Sequence, residues 1–499
     1  MGSNGDRPTQ YVMNTWNSLP MELRFMIFEY LAACGPGHLS ACAAVCKEWQ
    51  ELIERRNFCQ LKLRSTCVEG LTTMVTDRTR PLVQHIWLHV AIPPYTCLIC
   101  YRQESRSAWV RNNRMIKGAV LKLFAILQTW DSTDGITLEL STNSPSDPEH
   151  WFKNYCFGDG SQGARNCGHS DHGWSNGTRL SFPSARPLDR LFETIDLTSR
   201  LRLLRVDIIT RLVIRRQLRR RLTPSSLRML LDKLPRLERL IFEPWRWWDP
   251  ELRQAYDGGE GVFRLHDALM ANKSIEYRQI LQAGLPSTLK RLSIFEDFDE
   301  IHMQAIQRSI WPPLRLGLAR IGFPQLASTV ARQSLHLTHL SVSFLIEAFH
   351  FIRPHQRFWE WEHLEFVSLT SELLRPGRDN IMIWTFLFFA ALVASRMPRL
   401  KEMILWNGGK GHACVFRYRR EKGAVTVRST WGLILHHTVE TIWSKVLFWH
   451  TGSALHFDVR TISGATILCH GDAIHELGLP SEVIDAISVS QMRREARMV

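Results

Sequence analysis

Apolar positions near the start of the chain recur with a helical period. Leu23, Met26, Ile27, Tyr30 and Leu31 fall at i, i+3, i+4, i+7 and i+8, one face of a helix. Leu19-Pro20 opens the unit, since proline is at home in a first turn where its missing N–H would be an orphan. Glu22 follows near the positive end of the helix dipole. Gly35-Pro36-Gly37 stops the helix. Residues 39–45 predict a second short helix, and 47–55 a third with Trp49, Leu52 and Ile53 together. Further on the pattern changes to L-x-x-L-x-Φ, where Φ is apolar. It occurs as Leu237-Leu240-Phe242, Leu289-Leu292-Ile294, Leu337-Leu340-Val342, Leu364-Val367-Leu369 and Leu400-Met403-Leu405. Weaker copies are Val83-Ile86-Leu88 and Leu201-Leu204-Val206. Each copy follows a helix-like segment, among them SSLRMLLDKLPR, SIEYRQILQAGLPS and FLFFAALVASRMPR, so the unit is helix, proline, strand. The longest apolar run, 381–394, is shorter than the ~20 residues of a membrane span and predicts a buried helix.

Three helices in about forty residues bury little. Phe25, Phe28 and Tyr30 lie partly outside the apolar stripe, so some of this surface should meet a partner. The alternative is an ordinary helical subdomain packed on its own chain. Leu19-Pro20-x-Glu22-Leu23, Ile27, Leu31, Leu39, Val45-Cys46 and Trp49, in this order and spacing, resemble an F-box. The resemblance implies docking on a Skp-type adaptor, and through it on a cullin–RING ubiquitin ligase. Carried over position by position, it implies contacts by Leu19, Pro20, Ile27, Leu31, Val45 and Trp49.

The strand-like repeats resemble leucine-rich repeats, in which stacked parallel strands line a curved surface. Their intervals of 52, 48, 27 and 36 residues exceed the ~20–29 of that family, and its Asn or Cys after the strand is missing. The expected fold is therefore a small all-α three-helix F-box followed by an irregular leucine-rich-repeat-like α/β solenoid; a plain α/β domain is the alternative. The expected division is 14–60 F-box, 61–225 an α/β region with a polar insertion or the first part of the solenoid, and 226–499 the repeat-like domain. Segments 226–248, 394–419 and 469–484 are similar to a large set of fungal F-box proteins whose C-terminal region has no known function. That resemblance implies architecture and a fungal origin, and no activity.

Composition narrows the picture. The 499 residues are 45% hydrophobic and 22% charged, which marks a globular chain. A formal charge of +14 favours acidic partners. Eleven Cys and a polar start, MGSNGDRPTQ, predict free thiols in a reducing compartment and no secretory leader. Cys97-x-x-Cys100, with Cys156, Cys167, His169 and His172 downstream, offers zinc-ligand types, but one CxxC with poor second-half spacing reads first as incidental thiols. The Gly/Ser/Asn-rich stretch 141–187 reads as a polar surface loop and holds no nucleophile elbow or phosphate loop. The run 211–221, RLVIRRQLRRR, reads as the solvated face of a helix, with a nuclear signal or a phosphate-binding stripe as alternatives.

The functional expectation is a non-catalytic substrate-recognition subunit of an SCF-type (Skp–cullin–F-box) ubiquitin ligase, cytoplasmic or nuclear. It would hold an unidentified protein substrate, with exposed Trp245, Arg246, Trp247 and Trp406 as contacts. No cofactor, metal, membrane or nucleic acid is expected. An F-box scaffold or nuclear regulator outside the ligase is the alternative, followed by a zinc- or nucleic-acid-binding protein.

Overall fold

The fold was analysed in a computed structural model, which describes residues 16, 19–33, 39–131, 134–157, 172–198, 203–246, 284–298, 324–353 and 359–497. Two compact units emerge, one of residues 1–61 with 75–84, the other of 62–74 with 85–499.

The first unit contains helices α1 (Met21–Ala33), α2 (Leu39–Ala43) and α3 (Lys47–Cys59). All three predicted helices are present. The predicted inward stripe of α1 is not: Leu23, Met26, Ile27 and Tyr30 are exposed, and Phe28 is the buried residue, packed with Ile53 against Cys42, Ala43 and Leu52. Both sides of α1 are apolar, so the helical period alone does not say which side turns inward. Polar contacts fix the angle between α1 and α3. Glu48 accepts from Arg24 at 2.8 Å and from the Trp16 indole at 2.9 Å, and Trp16 meets Trp49 edge-on at 4.9 Å.

The second unit is built on a twelve-stranded sheet whose strands lie in chain order. They are β1 (Gln60–Arg64), β2 (His85–Ala91), β3 (Ile136–Asn143), β4 (Ile209–Ile214), β5 (Arg239–Phe242), β6 (Arg291–Phe295), β7 (His339–Ser343), β8 (Phe366–Thr370), β9 (Glu402–Gly409), β10 (His412–Arg419), β11 (Ala424–Ser429) and β12 (His456–Thr461). β2 to β9 run parallel, β9–β10–β11 form antiparallel pairs, and β12 returns parallel to β11. The β9–β10 hairpin turns through Lys410-Gly411, where Gly411 takes φ 79, a conformation that disfavours a side chain.

All five clear repeats fall on neighbouring strands β5 to β9. Their central residues share one register and form a ladder, Ile86, Leu138, Leu212, Leu240, Leu292, Leu340, Val367 and Met403, each from a different strand and each buried. At roughly 1.5–3 kcal/mol per fully buried aliphatic side chain, this row is a principal store of stability in the sheet. The copy at Leu201-Leu204-Val206 is a misreading, since 203–206 are not strand and Leu204 is exposed. The strand at that place in the sheet is β4, with Ile209, Leu212 and Ile214 in the same pattern.

Helices precede several strands: Arg106–Leu127 before β3, Pro224–Asp232 before β5, Pro324–Gln333 before β7 and Asn380–Ala394 before β9. The last contains the long apolar run. Asp379 caps it by accepting from the Ile381 N–H, and Ile383, Phe386, Leu387, Ala390, Ala391 and Ala394 are buried. No helix among the described residues is long and apolar enough to cross a membrane. The expected helix in SIEYRQILQAGLPS lies outside the described residues, apart from its last few positions.

Candidate functional site

In the first unit α1 presents a largely uncovered apolar surface. Met21 is 72% exposed and Tyr30 74%, and Leu23, Phe25, Met26 and Ile27 are exposed with them. The α2–α3 connection adds Val45 at 66%. Of the residues carried over from the F-box resemblance, Pro20, Ile27 and Val45 are exposed, and Leu19 and Leu31 half-buried. Trp49 is buried against Trp16, so its indole holds the helices together instead of standing out as an anchor.

The second unit corrects two sequence expectations. Residues 211–221 are strand and turn rather than helix; of their six arginines Arg216, Arg219 and Arg220 are buried, Arg215 and Arg221 half-buried and Arg211 exposed. Arg215 donates to Glu139 at 2.7 Å and lies 3.2 Å from Asp485. Arg216 pairs with Asp297 and, at 2.7 Å, with Glu495. Arg219, 1% exposed, pairs with Glu495 and stacks between the Tyr155 and Trp245 rings, each 4.1 Å away. Arg220 pairs with Glu104 at 2.7 Å. A solvated helix face needs exposed arginines; the charges of Arg215, Arg216, Arg219 and Arg220 are instead paired inside the protein.

The aromatic residues expected as contacts are buried too. Trp245 donates its indole N–H to the Arg216 carbonyl at 2.6 Å. Arg246 binds Glu296 at 2.9 Å and the Phe344 carbonyl at 3.0 Å. Trp406 stacks with Phe295 and meets Phe344 edge-on inside a cluster closed by the helices His470–Leu477 and Ala486–Arg497. Trp247 lies outside the described residues. The physical reason is topological. The carboxyl ends of β4, β5 and β6, where α/β sheets usually hold ligands, are bonded here to the chain's own last two helices through Arg216–Glu495, Glu243–Ser488 and Asp297–His470.

Those strand ends concentrate titratable groups. Burial alone would raise Asp297, but the Arg216 guanidinium and a 2.9 Å bond from the His470 ring outweigh it and hold the carboxyl below the usual range. Glu243 and Glu347 are pushed up to about 7 by burial, against partial relief from Ser488 and the Arg216 N–H in one case and from the Glu372 N–H and Ser371 in the other. Asp297 and Glu243 also take partners from the far end of the chain, His470 and Ser488, and Arg216 takes Glu495, so the network joins β4, β5 and β6 to the last two helices. At the opposite ends of the strands an open, mixed-charge cleft of about 310 Å³ is lined by His339, Phe366, Glu402, Arg419, Lys422 and Glu482. None of these residues carries a local sequence motif, because the fold alone brings them together from separate strands and loops.

Of the candidate zinc residues, the fold brings together Cys97 and His172 and adds His150, which no spacing motif marks. Cys100 instead bonds the Cys97 carbonyl at 3.2 Å, and Cys156 sits beside Glu495, its backbone N–H donating to that carboxylate at 2.9 Å. Cys167 and His169 lie outside the described residues.

Residues 16–59 match the model of the F-box-like family. Residues 284–485, from just before β6 to just before the C-terminal helix, match a family of unknown function, DUF6546. No curated protein matches the chain. F-box proteins are in general non-catalytic adaptors of ubiquitin ligases that bind a Skp-type adaptor.

Proposed function

We propose that the chain is a substrate-recognition subunit of an SCF-type ubiquitin ligase. The observation that carries this reading is the coincidence of an F-box-like match at 16–59 with an uncovered apolar face on α1. Apolar side chains at this density are stable on a surface when a partner covers them. The docking set is Leu19, Pro20, Ile27, Leu31 and Val45, extended by Met26 and Tyr30, whose exposure supports the extension. A Skp-type adaptor would cover this face and link the chain to the cullin.

The second unit carries recognition in this reading. Its eight parallel strands with one continuous apolar ladder support an irregular repeat-like solenoid in which 61–225 is the first part and 226–499 the remainder. The mixed-charge cleft at the starts of β7, β8 and β9 is the surface assigned to a protein substrate. The chain itself breaks no bond; it raises the effective concentration of an acceptor lysine near the loaded enzyme.

Co-purification with adaptor and cullin tests the reading. The full chain should retain both, and a Leu19→Ala, Pro20→Ala variant should lose both while keeping its circular dichroism. Retention of the adaptor without the cullin would favour a scaffold outside the ligase.

A further inference from the structure

The Cys97, His150 and His172 side chains converge from three separate segments of the second unit. Cys97 follows β2, His150 ends the short 3-10 turn Asp147–Glu149 after β3, and His172 precedes the ribbon formed by Trp174–Ser175 and Thr178–Arg179. Their ligand atoms all lie within 4.8 Å of one another. Cys97 Sγ and His150 Nδ1 are 3.6 Å apart. A tetrahedral zinc ion with Zn–S of about 2.3 Å and Zn–N of about 2.0–2.1 Å would separate sulfur from nitrogen by about 3.6 Å.

The surroundings orient the ring as a ligand. His150 Nε2 lies 3.3 Å from the Tyr95 carbonyl, which accepts its proton and leaves Nδ1 turned to the sulfur. Metal-binding histidines are held in this way, the second ring nitrogen donating to a backbone carbonyl. Tyr95 stacks on the His150 ring at 5.2 Å and donates its hydroxyl to Asp147 at 3.0 Å, and Asp147 accepts from the Ser144 N–H at 2.8 Å. His172 meets His150 edge-on at 4.8 Å and holds φ 45, a conformation uncommon for a residue other than glycine. A strained backbone at a residue aimed into a ligand cluster is a pointer to function.

We propose that Cys97, His150 and His172 bind a divalent transition-metal ion of the zinc class. Cys97 would bind as the thiolate, His150 through Nδ1 and His172 through one ring nitrogen, with the fourth position left to solvent. Thiolate with imidazole favours zinc over the hard cations magnesium and calcium. The Cys97 thiol gives its proton to solvent on binding, so affinity weakens as pH falls. The ion would tie the segment after β2 to two segments inside the polar stretch 141–187. Cys100 takes no part, since its Sγ is committed to the Cys97 carbonyl.

The test uses the full chain, stripped with a chelator and titrated with cobalt(II), then with zinc(II). One equivalent of cobalt should bind with tetrahedral d–d absorption and a thiolate-to-metal charge-transfer band, both removed by one equivalent of zinc. Cys97→Ser should lose the charge-transfer band, and His150→Gln and His172→Gln should weaken zinc at least about tenfold. Cys100→Ser and Cys156→Ser should bind as the wild type does, and circular dichroism should show all variants folded. Substoichiometric binding by the wild type, a cobalt spectrum without the thiolate band, an unchanged Cys97→Ser variant, or loss of binding in Cys100→Ser would each overturn the assignment.

Discussion

Glu495 is the point at which the C-terminal helix is locked to the sheet. One oxygen accepts from Arg216 at 2.7 Å; the other accepts from Arg219 and, at 2.9 Å, from the Cys156 N–H. Arg216 also has Asp297, but Glu495 is the carboxylate that faces Arg219. In Glu495→Gln the Arg219 guanidinium stays between Tyr155 and Trp245 with no counter-charge. Breaking a buried pair from one side costs about 3–5 kcal/mol, because it leaves an uncompensated charge in a low dielectric. Replacing both partners by uncharged groups of similar size is far cheaper. The double variant Arg219→Met, Glu495→Gln should therefore recover most of the loss, with Arg216 still paired to Asp297. Urea unfolding followed by tryptophan fluorescence reads this directly, since Trp245 lies against Arg219. A 3–5 kcal/mol loss lowers the midpoint by about 1 M or more for a slope of about 3 kcal/mol/M. The exposed neighbour Arg494→Ala should move it by less than about 0.5 kcal/mol. A Glu495→Gln midpoint equal to wild type, or a double variant no better than the single, would refute the account of these arginines as internally compensated charges.

Other predictions follow from the same structure. Leu340→Ala, in the middle of the buried ladder, should cost about 2–5 kcal/mol, whereas Leu204→Ala, exposed beyond the sheet, should cost under about 0.5, both by urea midpoint. Burial pushes Glu347 up to about 7 from its ordinary 4.5, so the folded state keeps a proton that the unfolded state releases. Its contribution is full below pH 4.5 and is lost as pH rises to 7, and Glu347→Gln should flatten the stability profile across that window. His339 is held down to about 4 by burial and by the nearby Arg291, so the unfolded state takes up the proton first. Its unfavourable contribution therefore grows as pH falls from 6.5 to 4, and His339→Gln should raise the midpoint at the acid end of that window relative to wild type.

Much of the sheet was legible because each of its central strands carries its own apolar signature. Leu240, Leu292, Leu340, Val367 and Met403 mark their strands without reference to any other part of the chain. β4 was hidden by its flank: Ile209, Leu212 and Ile214 repeat the pattern, but the arginines that follow suggested a helix and a solvated face. Whether those arginines are buried depends on acids far away in sequence, Asp297 81 positions on and Glu495 more than 270, and no local signal reports that. The expected exposure of Trp245, Arg246 and Trp406 failed for the same reason, since what buries them is distant in sequence: Arg216 and Phe192 for Trp245, Glu296 and Phe344 for Arg246, and for Trp406 a cluster that includes the last two helices. In the first unit the three helices followed from punctuation by proline and glycine, but an all-round apolar α1 left its inward side undetermined until Phe28 was seen packed on Ile53. His150 carries no spacing motif relative to Cys97, 53 positions earlier, and only the fold places them side by side.

The central claim is that the α1 face is a docking surface, and the most direct measurement is the affinity of the full chain for a purified Skp-type adaptor beside an Ile27→Lys variant. Ile27 is exposed, so the substitution should leave the urea midpoint unchanged. The account predicts tight binding by the wild type and a loss of about 2 kcal/mol or more, roughly thirtyfold, in the variant. No binding by the wild type, or equal binding by Ile27→Lys, would contradict it.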